Sequence, residues 1–279
     1  MSVQYASWIG KTDETIELIS LAQVQAAAAT LDDAATVFAA GVPLPPLWHW
    51  FFFLPRVPQS SLDADGHPQR GGFMPPIKLP RRMFAGARIR FIKPLIIDRL
   101  AVRSSTIREV SEKDGHSGKL AFVTVAHTIA QDDAVCLEEE QDIVYREPGA
   151  LVRAPEQLEL PPVPEGSWTR MLTPEPTLLF RFSAVTFNAH RIHYDRQYAT
   201  NVEGYPGLVV HGPLTAVLLL ELVRRNTSRP LSAFSFRGQL PLFDLAPIRL
   251  VATPAGESVA LEAQGPDGRT AMIATALLL

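Results

Sequence analysis

One cysteine, Cys136, is all the thiol that the 279 residues contain. That excludes an intramolecular disulfide and suits a reducing compartment. Excess basic charge is also missing, since the formal net charge is −3. Nothing electrostatic therefore points to a nucleic-acid partner, although a local basic pocket for an anionic ligand is compatible with that total. Long apolar runs are absent too. Trp50–Leu54 and Ala216–Leu220 are among the longest, and both fall far short of the roughly 20 residues that span a bilayer. The opening MSVQYASWIGKTDETIEL lacks the basic-then-apolar order of a secretory signal. The expectation is a soluble, cytosolic protein with no membrane partner.

What remains is an ordinary globular composition, 47% hydrophobic and 20% charged, in a chain long enough for one large or two ordinary domains. Prolines divide it. Glu147–Glu175 (EPGALVRAPEQLELPPVPEGSWTRMLTPE) has six prolines and no sustained period, and reads as an extended linker. Residues 55–80 hold six more prolines and three glycines, the makeup of a long irregular loop that often serves binding.

Each flank of the linker has the ingredients of one helix and several strands. In the first half, Leu18–Leu31 is alanine-rich with apolar residues a turn apart, which predicts a helix. Pro43, Pro45 and Pro46 prevent its continuation. Strands are expected at Ala87–Leu95, Leu100–Val110, Leu120–Ala130 and Val135–Tyr145. The polar SEKDGHSGK between the second and third reads as a solvated hairpin turn. In the second half, Thr177–Thr186 alternates apolar and polar from Phe180 to Ser183 and predicts a strand. Pro213–Arg225 is a strongly apolar helix, with proline in its first turn and Arg224 and Arg225 at its negative end. Strands follow at Leu231–Leu240, Pro247–Thr253, Ser258–Ala263 and Thr270–Leu279. So apolar a helix needs cover on nearly all sides, which antiparallel strands wrapped around it provide. The expected fold class is α+β, a tandem of two sheet-and-helix units: residues 1–150, a linker at 151–175, and residues 176–279.

Chemistry concentrates in Arg181–Asp195, RFSAVTFNAHRIHYD, followed by GYPGLVVHGPLTAVLLLELV from Gly204. This pairing resembles the R-specific, MaoC-like enoyl-CoA hydratases, whose signature is a strand, a turn with Asp-x-Asn-Pro-x-His, and a glycine-rich lead-in to a central helix. It is more similar still to the branch of hydroxyacyl-thioester dehydratase type 2 and the mesaconyl- or itaconyl-CoA hydratases. In that branch Thr-Phe-Asn-x-His-x-Ile-His is usual. LPRRMFAGARIRF, EKDGHSGKLAFVTVAH and EEEQDIVYRE resemble the non-catalytic first hot-dog of the same branch. The resemblance implies a double hot-dog fold with catalysis in the second unit, no cofactor, no metal, and an acyl-CoA substrate. His193 falls on the catalytic histidine, and Asn188 stands where the wider family has aspartate.

Adding water to an α,β-unsaturated thioester needs a base for the water, an acid for the α-carbon and a donor for the enolate-like oxygen. Histidine suits proton transfer near neutral pH, so the expectation is that His193 takes the water proton. Asn188 cannot be a base, but its amide can orient the water. Protonation of the α-carbon stays open between His193, through one water, and Asp195. The N–H groups around His211 and Gly212, at a helix start, are the oxyanion candidates. His211 fits capping, ligand lining or packing equally well. Arg191, Arg82 and Arg88 are candidates to bind substrate phosphate or carboxylate. For Arg81, Arg82, Arg88 and Arg90 the bland alternative is a charged edge strand. His190 and His193, three apart, do not by spacing make a metal site. The aromatic LWHWFFFLP at Leu47–Pro55 suits core or the wall of an acyl pocket.

Three function classes follow. The first is hydration or dehydration of a short, carboxylated enoyl-CoA, with dehydration in fatty-acid synthesis as its longer-chain version. The others are thioester hydrolysis and acyl-CoA binding without catalysis. A homodimer of tandem units is expected.

Overall fold

A computed structural model describes residues 3–115, 118–148 and 151–279. The tip of the SEKDGHSGK turn, His116 and Ser117, lies outside them.

The core of the fold is a single ten-stranded antiparallel sheet. In chain order its strands are β1 (Thr12–Leu18), β2 (Arg81–Phe91), β3 (Leu100–Gly115), β4 (Gly118–Gln131) and β5 (Ala134–Arg146), then β6 (Trp168–Leu172), β7 (Leu231–Gly238), β8 (Ile248–Ala255), β9 (Ser258–Gln264) and β10 (Thr270–Leu278). Across the sheet the order is β1-β3-β4-β5-β2-β7-β10-β9-β8-β6. First-half strands thus lie on one side and second-half strands on the other. The two meet where β2 pairs with β7, from Gly86↔Arg237 to Arg90↔Ala233. Gly86 is required there, because a Cβ would stand 2.4 Å from the Phe236 carbonyl oxygen.

The helices are α1 (Leu21–Leu31), α2 (Pro176–Val185) and α3 (Gly212–Asn226). The expected Leu18 start of the first helix moves three residues on, because β1 ends at Leu18 and Ser20 caps the helix through the Gln23 N–H. In α3 every residue from Leu214 to Val223 is buried, Thr215 and Glu221 included. β6, β8, β9 and β10 pack along it. This is the tandem hot-dog arrangement expected of the sequence.

Two sequence expectations are corrected. Thr177–Thr186 is not a strand but α2. Its alternation is too short to bury one face, whereas Leu179, Phe182 and Ser183 share the buried side at helical spacing, and Pro176 opens the first turn. The proline-rich linker is not wholly free of structure either, since Trp168–Leu172 pairs with β8 as an edge strand.

The halves are tied by polar contacts as well as by the sheet. Buried Glu221 of α3 accepts from the Trp48 indole at 3.0 Å and from Arg224. Arg224 also reaches Asp33 and Thr36 of the first half.

Candidate active site

Between the inner face of the first-half sheet, the C-terminal end of α2 and the start of α3 lies a cavity of about 750 Å³. Its walls are aromatic, with Phe52, Phe53, Phe84 and Phe182 among them, but its far end is polar. On one rung of the sheet Ser105 faces His127, which faces Glu139. The buried Glu139 carboxylate accepts from His49 Nε2 at 3.1 Å, Trp50 Nε1 at 2.9 Å and Gln141 Nε2 at 2.9 Å. Burial would raise its pKa, but the His49 bond and nearby imidazoles outweigh that and hold it at about 2. Arg103 lines the same end and donates to the Phe53 carbonyl at 3.1 Å.

At the other end the chain turns sharply after α2. Phe187 takes a left-handed φ of 50°, and Asn188 Oδ1 accepts the His190 N–H at 3.0 Å. That side-chain turn leaves the Asn188 amide nitrogen to the cavity, which it lines. A single 3₁₀ turn, Arg191–His193, then places His193 under α3. His193 Nδ1 donates to the Val209 carbonyl at 2.7 Å. A carbonyl only accepts, so the neutral ring carries its proton on Nδ1 and keeps the Nε2 lone pair free.

His193 stacks on His211 with centroids 3.7 Å apart, and His190 stands edge-on to it at 5.3 Å. His211 is fully buried, and its Nε2 is bonded to Ser183 Oγ at 2.9 Å. It therefore does not cap α3 through its side chain. The first-turn N–H groups from Gly212 onward are left without a side-chain partner, beside Pro213 in the cavity wall. His193 itself lies one layer behind that wall.

The loop of residues 55–80 brings a further imidazole. A tight turn closed by Asp63 N–H to His67 O and Gly66 N–H to Asp63 O docks on Ala189–Arg191. His67 lies 4.0 Å from the His190 ring, centroid to centroid, and forms part of the cavity wall. Its Nδ1 donates to Asp65 Oδ2 at 2.9 Å. Burial first, then neighbouring positive charge, lowers the pKa of His67 and brings His190 and His193 to about 3. Asp65 is held below the usual carboxylate range, the His67 bond overcoming the effect of its burial.

The donor atoms of Asp65, His67 and His190 lie within 4.8 Å of one another, a set of metal-ligand type. Arg82, whose charge acts on both histidines, opposes a cation there.

Comparison with known proteins decides the family. A model of hydroxyacyl-thioester dehydratase type 2 matches residues 47–244. The chain is also 64% identical over 274 residues to the mesaconyl-C4-CoA hydratase of Chloroflexus aurantiacus, with 98% of each chain covered. This chain belongs to the hydroxyacyl-thioester dehydratase type 2 family. A mitochondrial member from Schizosaccharomyces pombe is 31% identical over 241 residues, 76% of this chain and 79% of that one. Among solved structures, a MaoC-like dehydratase superposes with a TM-score of 0.74 at 15% identity over 99% of both chains. A Mycobacterium tuberculosis protein described as a double hotdog gives 0.62 at 12% identity, with 97% of this chain and 96% of that one covered. These last two likenesses establish the fold alone. The family match and the 64% relative make this chain a hydro-lyase acting on a thioester, and no helix among its described residues is long and apolar enough to cross a membrane.

Of the residues singled out from sequence, the fold brings Asn188, His193, His211, Gly212 and Arg82 to one end of the cavity. Arg82 lines the cavity and makes no ion pair among the described residues. Arg191 does not line it. Its guanidinium is held by Asp195 at 2.8 Å, by the Ala64 carbonyl at 3.1 Å and over the Tyr198 ring. Arg191 thereby fastens the docked loop. Asp195 is tied up in the same pair. Arg88 is on the wrong face: β2 buries Ala87 and Ile89, so Arg88 points outward and pairs with Asp142 and Glu140. Sequence reading missed His67, Asp65 and the polar end at Glu139. The only signal for the first two was their position in a long loop of binding-loop composition.

The depressed imidazoles set a pH dependence of stability. The unfolded chain takes up protons below about 6.5, while buried His190 and His193 resist down to about 3 and His127 to about 4. Stability present above 6.5 is therefore lost as pH falls through that window. Thermal unfolding followed by circular dichroism should show a midpoint that is flat above pH 7 and falls steadily from 6.5 to 4. His127→Gln should make that fall shallower.

Proposed function

We propose that this chain reversibly hydrates a short enoyl-CoA carrying a free carboxylate, of the mesaconyl-C4 or itaconyl kind, with His193 as proton-transfer residue. The observation that carries the substrate is Arg82, a guanidinium with no ion pair among the described residues, in the wall beside the imidazole cluster. In a mesaconyl-C4 thioester the carboxylate sits on the carbon that receives the hydroxyl, so its cation must stand close to the water-handling residues. The 64% identity to a relative named for that substrate agrees.

In this reading the thioester oxygen accepts from the Gly212 N–H at the positive end of α3. A water held between the Asn188 amide and His193 Nε2 adds to the β-carbon as His193 takes its proton. His211, Arg191 and Arg88 serve as support rather than substrate contacts. No cofactor takes part. The working unit is a homodimer of tandem chains, acting in the cytoplasm, with residues 1–150 and 176–279 as its two hot-dogs.

A longer-chain dehydratase is the second reading, favoured by the cavity's size. Its polar end at Glu139, His127 and Arg103 disfavours it, because an alkyl chain there would cover polar groups without pairing them.

The test is loss of conjugated enoyl-thioester absorbance with mesaconyl-C4-CoA and crotonyl-CoA and mass-detected hydroxyacyl-CoA from itaconyl-CoA, with free thiol measured alongside. Turnover confined to the dicarboxylic thioesters is expected. Turnover mainly of crotonyl-CoA sinks the carboxylate assignment, and thiol release without hydration sinks the hydratase. Arg82→Met should lower kcat/KM for the dicarboxylic substrate roughly 20-fold, the loss of one charged hydrogen bond, at an unchanged melting midpoint.

A further inference from the structure

We propose that His67, positioned by Asp65, is the residue that exchanges a proton with the α-carbon of the thioester. This inference rests on the hydratase reading and supplies the acid which that reading leaves unassigned.

The geometry separates two jobs. Proton transfer to and from the β-oxygen can pass through a water, so His193 can sit behind the cavity wall. Once that water has been consumed by addition to the β-carbon, a titratable group in the wall itself is the most direct proton donor to the α-carbon. Asn188 lines the wall but does not titrate, and Asp195 is engaged by Arg191. His67 is in the wall, next to Asn188's turn, with Nδ1 committed to Asp65 and Nε2 free to face the substrate.

The loop is built to put it there. Arg191 donates from its backbone N–H to Asp65 O at 2.9 Å and from its side chain to Ala64 O at 3.1 Å. Gly66, at φ 90°, lies so close to Ala189 that any Cβ would meet its carbonyl oxygen at 1.8 Å. Of the clustered imidazoles, only His67 is bonded to a carboxylate, so a single proton on the cluster resides on His67.

In hydration, His193 Nε2 takes a proton from water as the oxygen bonds to the β-carbon. The C=C electron pair moves to the thioester as an enolate held at Gly212. The proton on His67 Nε2 then bonds to the α-carbon, using that pair. His193 has gained one proton and His67 has lost one; exchange with solvent resets both. Dehydration is the reverse and starts with the proton on His193 and a neutral His67, the same total charge differently placed. The groups facing His67 are Asp65 and Arg70 on its own loop, Arg82 from β2, and His190 with His193 behind it.

Both activity and pH dependence follow. With whichever enoyl-CoA the wild type hydrates, His67→Gln should lower kcat about 10²-fold or more, with KM within about threefold. Incorporation of solvent deuterium at the α-carbon should slow in parallel. Asp65→Asn, near-isosteric and kept as a folding control by its melting midpoint, removes the anion that favours protonated His67. It should move the alkaline limb of the kcat profile to lower pH. A His67→Gln enzyme within about threefold of wild-type kcat across the profile overturns the proposal. So does stoichiometric bound metal in the wild type whose loss alone accounts for the variants' inactivity. A wild type that hydrates none of the thioesters refutes the hydratase reading instead, before either variant is informative.

Discussion

His193→Asn should lower kcat about 10³-fold, within the range that a positioned acid or base contributes, while leaving the fold intact. Asparagine is the informative replacement because its amide nitrogen matches the imidazole Nδ1. It keeps the donation to the Val209 carbonyl, 2.7 Å in the native chain, and so preserves the tie between the 191–193 turn and the segment before α3. What it removes is the Nε2 lone pair. Steady-state hydration with a melting curve for each protein makes the comparison. A variant within tenfold of wild type at an unchanged melting midpoint would move the base elsewhere, first of all to His67. The same variant should also be less sensitive to acid than the native chain, since it lacks one imidazole whose burial opposes protonation.

Gly66→Ala should lower kcat/KM about 10²-fold, the cost of misplacing a catalytic group by roughly an ångström, at little expense to global stability. The added Cβ would overlap the Ala189 carbonyl oxygen at 1.8 Å, from a backbone at φ 90° that alanine adopts only under strain. The turn at residues 63–67 is a surface feature outside both hydrophobic clusters, so it undocks rather than unfolds the sheet. Strain of about 1–3 kcal/mol confined there leaves the thermal midpoint within a few degrees of wild type. Parallel measurement of turnover and melting checks this. A large fall in the midpoint would show that the loop carries the fold as well as the site, and unchanged turnover would show that docking of the loop is irrelevant to catalysis.

Most strands were legible because both of their faces leave a trace. The alternating or continuous apolar runs of β3, β4 and β5 appear within a few residues of where they lie, and α3 announced itself by a stretch apolar on nearly every side, from Leu214 to Val223. Thr177–Thr186 was misread because alternation over four residues fits a strand and a helix flank equally. Burial of Leu179, Phe182 and Ser183 together on one side resolves it. β1 and β6 escaped notice because they are edge strands, β1 polar and largely exposed and β6 only five residues long within a proline-rich stretch, held by backbone pairing that composition does not record.

The site divides in the same way. Asn188, His193 and Gly212 lie in one contiguous stretch joined by a short turn and a helix start, so sequence neighbourhood is nearly spatial neighbourhood. The sequence by itself determined that stretch, the family resemblance it carries, and the wrapped-helix architecture, since local turn chemistry and apolar period act over a few residues. Only the tertiary structure decided which arginine faces the cavity, because one bulge between Phe84 and Gly86 resets the alternation on which facing depends. Only the tertiary structure, too, brought Asp65 and His67 across more than 120 positions to His190. That juxtaposition rests on a glycine, two carbonyls and one guanidinium meeting in space, and long-range contacts of that kind leave no periodicity in the chain.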